Sequence, residues 1–183
     1  QLMTLADGSR VLFGTPIDIL NRSAEITIIA MGMTLVIALG GTDISVGALV
    51  AVSGATALKF LRWDVLEYTT PGDYSVYPFV YVLVVPLLAC TVMGLFNGTL
   101  IAKLKIQPII ATLILMVAGR GVAQIITNGK QFTTQYSPFK FIGGGSLFSL
   151  PFPIIITIAV VAGMIFFVRR TSFGMLVESV GIN

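Results

Sequence analysis

Five long apolar runs separated by polar breaks set the pattern of this chain. The first extends from Pro16 to Leu39 and the second from Val46 to Leu61, and they meet at Gly40-Gly41-Thr42-Asp43-Ile44-Ser45. The third covers Tyr77 to Ala102, the fourth Ile109 to Ile126 and the fifth Phe152 to Val168. The 24 residues from Pro16 to Leu39 suffice for a helix to cross about 30 Å of hydrocarbon. The pattern predicts an all-α, polytopic membrane protein with about five transmembrane helices. Thr171 to Asn183 is amphipathic and helix-like, and the chain stops inside it.

Punctuation between the runs supports this division. Thr15 is a candidate cap, Pro16 suits the first helical turn, and Asp18 favours the positive helix end. Arg22 and Glu25, three apart, are placed to pair near the interface. Gly40-Gly41 ends the first helix, since glycine tolerates the left-handed cap conformation. Asp43 or Ser45 then caps the helix from Val46 to Leu61. Gly47, Ser53, Gly54 and Ala57 offer that helix a small-residue packing surface. Lys59, Arg62 and Trp63 mark an interface, and Asp64 to Val76 is a polar loop holding Pro71-Gly72. In the third run Tyr77 and Tyr81 lie near one boundary, Pro86 is a candidate kink, and Gly94 and Gly98 flank Asn97. Lys103, Lys105, Gln107 and Pro108 make a short basic turn. Asn128 to Leu150 reads as a long polar loop, flexible at Gly143-Gly144-Gly145.

Composition narrows the function. The hydrophobic fraction is 56% and the charged fraction 10%, against roughly a quarter charged in a soluble domain. The net charge of +3 is small and scattered, so no basic patch points to nucleic acid. Histidine is absent, which removes the commonest general base and metal ligand. Cys90 is the single cysteine, so there is no disulfide framework. No Walker A motif, metal-ligand cluster or catalytic triad is present, so neither an enzyme nor a cofactor is expected.

Orientation follows from parity. With Arg169-Arg170 cytoplasmic, alternation puts Lys103 to Pro108 and Gly40 to Ser45 on the same side, in keeping with the positive-inside rule. Gln1 to Gly14, Asp64 to Val76 and Asn128 to Leu150 then face outward. An odd number of spans with an outer amino end implies a missing first span.

Seven polar residues are candidates for a pathway or gate. Asp43, with Ser45, either caps a helix at a tight turn or contacts a gate or partner subunit. Asn97 is costly in mid-membrane unless bonded; it either joins helices or faces a hydroxylated solute. Gln107 and Thr112 flank Pro108 and serve either capping and packing or solute contact. Arg120, with Gln124 one turn on, either snorkels to the outer interface or lines a translocation path.

These residues also carry a resemblance. The stretch from Met31 to Gly47, MGMTLVIALGGTDISVG, resembles the signature of permease subunits of bacterial ABC importers for monosaccharides, the ribose, xylose and galactofuranose group. Gly94-Leu-Phe-Asn-Gly98, Lys105 to Leu113 and Ala118-Gly-Arg-Gly121 resemble further blocks. The Ile-Gln-Pro, Ala-Gly-Arg-Gly and Val-Gly-Ile-Asn wording resembles galactofuranose permeases in particular. Such permeases have roughly ten spans, so the resemblance implies a fragment holding the second to sixth within one transmembrane permease domain, residues 1–183. It also implies a multi-pass protein of the bacterial inner membrane that moves a monosaccharide by alternating access. The implied partners are cytoplasmic ATPase subunits, a second permease subunit and a periplasmic sugar-binding protein. A secondary transporter or channel working alone is the alternative, disfavoured because neither Asp43 nor Glu25 lies well inside a span.

Overall fold

The computed structural model describes residues 2–4, 10–12, 14–61, 79–130, 137–147 and 150–181. Asp7 and Gly8, the interface markers Arg62 and Trp63, the loop from Asp64 to Val76, Tyr77 and the last two residues of the chain lie outside them. The chain divides into two compact units, one of residues 1–41 with 137–183 and one of residues 42–136.

The first unit opens with a hairpin in which β1 (Leu2–Thr4) pairs antiparallel with β2 (Arg10–Leu12). Helix α1 spans Thr15–Ala38. Its N-cap is Gly14, and Thr15 is the first helical residue, so the expected Thr15 side-chain cap does not form. Pro16 in the first turn already fixes a helical φ, and the N–H groups of Ile17 and Asp18 bond the Gly14 carbonyl. Arg22 and Glu25 are both exposed, and among the described residues they form no ion pair. Glu25 sits near the middle of α1 rather than near its boundary as expected, because the helix already starts at Thr15. At the other end Gly40 takes φ 74°, its N–H bonds the Ile37 carbonyl, and the Gly41 N–H bonds the Val36 carbonyl. That is a Schellman cap, as the glycine pair predicts.

The described residues between 128 and 150 are more ordered than a polar loop. Helix α5 (Ser137–Gly144) is followed by a short hairpin of β3 (Ser146–Leu147) and β4 (Leu150–Pro151). Gly145 is fixed rather than flexible. Its N–H bonds the Phe141 carbonyl at 2.7 Å, its carbonyl accepts the Phe152 N–H, and a Cβ would collide with Phe141. The Phe141 and Phe152 rings pack at 5.2 Å across this joint.

Helix α6 spans Phe152–Arg170 and α7 spans Ser172–Gly181. The Thr157 hydroxyl lies 3.2 Å from the Ala24 carbonyl in the first halves of α6 and α1, while Ala38 and Arg169 at their ends line one cleft. The two helices therefore run in the same direction. The α6–α7 joint is tight: a Cβ on Gly174 would strike the Val168 carbonyl, and one on Gly181 the Ala38 carbonyl.

The second unit holds α2 (Val46–Leu61), α3 (Phe79–Leu104) and α4 (Pro108–Thr127). Helix α2 is the hub and packs on both others. Of the small residues expected to pack, Ala57 is buried and Ser53 half-buried, but the two glycines are not. Gly47 and Gly54 are exposed with open space beside them, whereas Ala48, Val52, Ala55 and Ala57 are buried. The glycines lie seven apart on one helical stripe, and the core uses the stripe beside it. A Cβ on Gly119 of α4 would sit 3.0 Å from that of Ala48, so α2 and α4 approach closely there. Helix α3 continues through buried Pro86 and ends past Ala102, at Leu104 before left-handed Lys105. Gly94 and Gly98 are exposed on it, so they form no helix contact among the described residues.

α1, α3, α4 and α6 are each long and apolar enough to cross a membrane. α2, at 16 residues, reaches about 24 Å and is the shorter of the five expected spans. Ile125 is 76% and Val92 63% exposed, and α6 buries no residue, a surface suited to lipid rather than water.

Candidate functional site

The second unit gathers the candidate residues at opposite ends. α2 and α4 run in the same direction, because Thr42 lies by Thr112 near their starts and Leu58 by Thr127 near their ends. Their starts therefore share one end of the unit, where α3 also finishes.

At this end, the turn before α2 is built on Asp43. Its Oδ1 accepts the Ser45 N–H at 2.8 Å and the Ser45 hydroxyl at 2.6 Å. Ser45 is fully buried and is the last residue before the helix; its carbonyl accepts the Ala48 and Leu49 N–H groups. Ser45 thus caps through its backbone only. Its hydroxyl proton goes to the half-buried carboxylate, because a charge-assisted bond outweighs a neutral one. Asp43 fixes the cap residue and does not itself bond the helix. No basic side chain pairs with Asp43 among the described residues.

Thr112 is buried, with its hydroxyl 2.9 Å from the Pro108 carbonyl and 3.5 Å from the Thr42 carbonyl. It lies where α4 meets the turn before α2. Gln107 is the N-cap of α4 by its backbone, its side chain is exposed, and it makes no cap bond. Pro108 contributes no N–H that would need one.

Asn97 lies on the α3 face that also carries Val82, Pro86 and Met93, at helical spacing. It is 5% exposed, and its Oδ1 is buried without a hydrogen-bond partner among the described residues. The expected helix-to-helix bond is therefore not made by this oxygen. A second such oxygen, Asn21 Oδ1 on α1, was not singled out from the sequence.

The far end holds Arg120 and Gln124. With Thr127 they occupy one face of α4, at spacings of four and three, and line a cleft of about 320 Å³ against Ala51, Ala55 and Leu58 of α2. That volume is at the lower limit of small-molecule pockets, about 300–1,000 Å³. Arg120 and Gln124 are exposed within it. Thr127 was missed because only packing against α2 reveals it; the signal was its place seven residues after Arg120. Among the described residues no group of three His, Cys, Asp or Glu could hold a metal ion. The arrangement offers hydrogen bonding to a polar solute and no nucleophile or general base.

The family pattern described as branched-chain amino acid transport system / permease component matches residues 15–183. The chain is 47% identical to the galactofuranose transporter permease protein of Escherichia coli K12, over 99% of the chain and 49% of that protein. It is 36% identical to a fructose import permease protein of Bifidobacterium longum, over 94% of the chain and 46% of the relative. It is 33% identical to the ribose import permease protein of Haemophilus influenzae, over 91% and 49%. The chain thus spans about half the length of these curated relatives. No solved structure matches it. With the pattern running from α1 to the last residue and four helices fit to cross a membrane, the chain is a multi-pass membrane protein belonging to the branched-chain amino acid transport system / permease component family.

Proposed function

We propose that this chain is part of a single transmembrane permease domain of an ABC importer that carries a monosaccharide, of galactofuranose or a similar type, across the bacterial inner membrane. The observation that carries the reading is 47% identity along 99% of the chain to a galactofuranose permease, with fructose and ribose permeases behind it. These relatives favour a sugar over the amino acids of the family description. In this reading the chain is not an enzyme. ATP hydrolysis belongs to cytoplasmic ATPase subunits, which drive alternating access, while a periplasmic binding protein delivers the sugar and a second permease subunit completes the pathway.

Direction within each unit agrees with the proposed alternation of spans. α1 and α6 run the same way, as two spans entering from one side must, and so do α2 and α4. Asp43, Ser45, Gln107 and Thr112 then lie inward, with the buried Asn97 towards that end of α3. Arg120 and Gln124 lie outward, where the cleft on α4 would offer a guanidinium and an amide to sugar hydroxyls.

The test is reconstitution with the cognate ATPase and binding protein. ATP hydrolysis should rise several-fold when sugar-loaded binding protein is added. A permease that captures no ATPase, or whose ATPase ignores the loaded binding protein, would overturn the proposal.

A further inference from the structure

We propose that the cleft between α1, α6 and α7 is a binding site for one anionic, glycerol-bearing phospholipid. The cleft holds about 920 Å³ and lies wholly within the first unit. Its lining is graded along the helix axes. Met31 and Leu35 of α1 and Ile165 and Val168 of α6 make an apolar groove within the spans. Arg169, Arg170, Thr171 and Ser172 close the same cleft where α6 ends and α7 begins.

That grading matches the two halves of a phospholipid. The groove offers an acyl chain apolar side chains that would otherwise meet bulk lipid without shape. The two guanidiniums lie in the last turn of α6, exposed, and neither is in an ion pair among the described residues. Arginine's planar fork suits a phosphate diester better than a point charge would. Both arginines also oppose the negative end of the α6 dipole, but that role needs no cleft beneath them.

Glu178 on α7 lines the cleft too and opposes a phosphate placed beside it. It therefore sets the headgroup: phosphate on the arginine side, and donor hydroxyls, as in a glycerol headgroup, on the carboxylate side. α7 approaches both walls of the cleft closely: Gly174 lies against the Val168 carbonyl and Gly181 against the Ala38 carbonyl, with no room for a Cβ at either.

The experiment is native mass spectrometry of the purified protein in detergent with equimolar phosphatidylglycerol and phosphatidylcholine. Each basic side chain at an anionic surface adds about 1 kcal/mol, so two predict a preference of roughly 30-fold for phosphatidylglycerol. R169Q/R170Q should bring the ratio near one, and R169K/R170K should keep most of it. K103Q/K105Q removes two basic residues that do not line the cleft and should leave the ratio unchanged. I165W fills the groove without touching charge and should lower retention of both lipids. Ten-millimolar inorganic phosphate should displace neither. If R169Q/R170Q fails to fold, raising the salt concentration on the unmodified protein should erode the preference. A ratio near one for the unmodified protein, loss of preference in K103Q/K105Q, insensitivity to salt, or displacement by free phosphate would each overturn the site.

Discussion

At the scale of single residues, the turn before α2 rests on one oxygen. Asp43 Oδ1 satisfies two donors of Ser45, which has no access to water. Asparagine carries an equivalent oxygen and alanine none. Asp43→Asn should therefore unfold within about 1 kcal/mol of the unmodified protein, and Asp43→Ala should lose about 1–3 kcal/mol, the cost of buried donors left unpaired. Thermal unfolding in detergent measures both, and an asparagine variant as unstable as alanine would mean the charge itself is needed. Asn97 reverses the usual expectation. Because its Oδ1 has no partner among the described residues, Asn97→Leu should match or exceed the original stability. A loss of more than about 1 kcal/mol would reveal a bond that the structure does not contain. If Asn97 faces the solute, the same variant should fold and fail to transport. The candidate residues were legible as polar anomalies in apolar runs, and Arg120 with Gln124 as a pair one helical turn apart. What those residues bond was not legible. Ser45's hydroxyl turning to Asp43 depends on the local turn, and Asn97 Oδ1 finding no partner among the described residues depends on packing between helices.

At the scale of elements, glycine punctuation was read correctly where the backbone alone decides. The Schellman cap at Gly40-Gly41 follows from local conformation, whereas α4 begins at Pro108, which the run starting at Ile109 leaves in the turn. Gly145 was misread because its constraint comes from Phe141 and Phe152, which the glycine run itself does not announce. Packing glycines divide the same way: Gly54 looks like a contact and is open, while Gly119 is the real one. The joint between α6 and α7 gives a sharp test. Gly174→Ala puts a methyl into the Val168 carbonyl and should cost about 1–3 kcal/mol by overpacking. Gly163→Ala, in mid-α6 with open space around it, should cost nothing. Equal effects of the two on the thermal midpoint would show that the α6–α7 contact is not made.

At the scale of the whole molecule, two claims carry the account: the orientation of the spans and the coupling of transport to ATP. Single cysteines at Lys105 and Lys140 test the first. Cys90→Ser is a suitable background, since serine keeps a donor for the Leu49 carbonyl that the Cys90 thiol approaches at 3.4 Å. In intact cells an impermeant thiol reagent should label position 140 and not 105, and the reverse pattern would invert the orientation. Coupling is the more direct test of the central claim, because it separates an ABC permease from a carrier or channel working alone. The permease, its ATPase and the binding protein are reconstituted into vesicles, and uptake of labelled galactofuranose is followed with and without enclosed ATP. The account predicts accumulation against a gradient that requires ATP, the binding protein and all three components together. Uptake of equal rate and extent from the permease alone, without ATP, would contradict it.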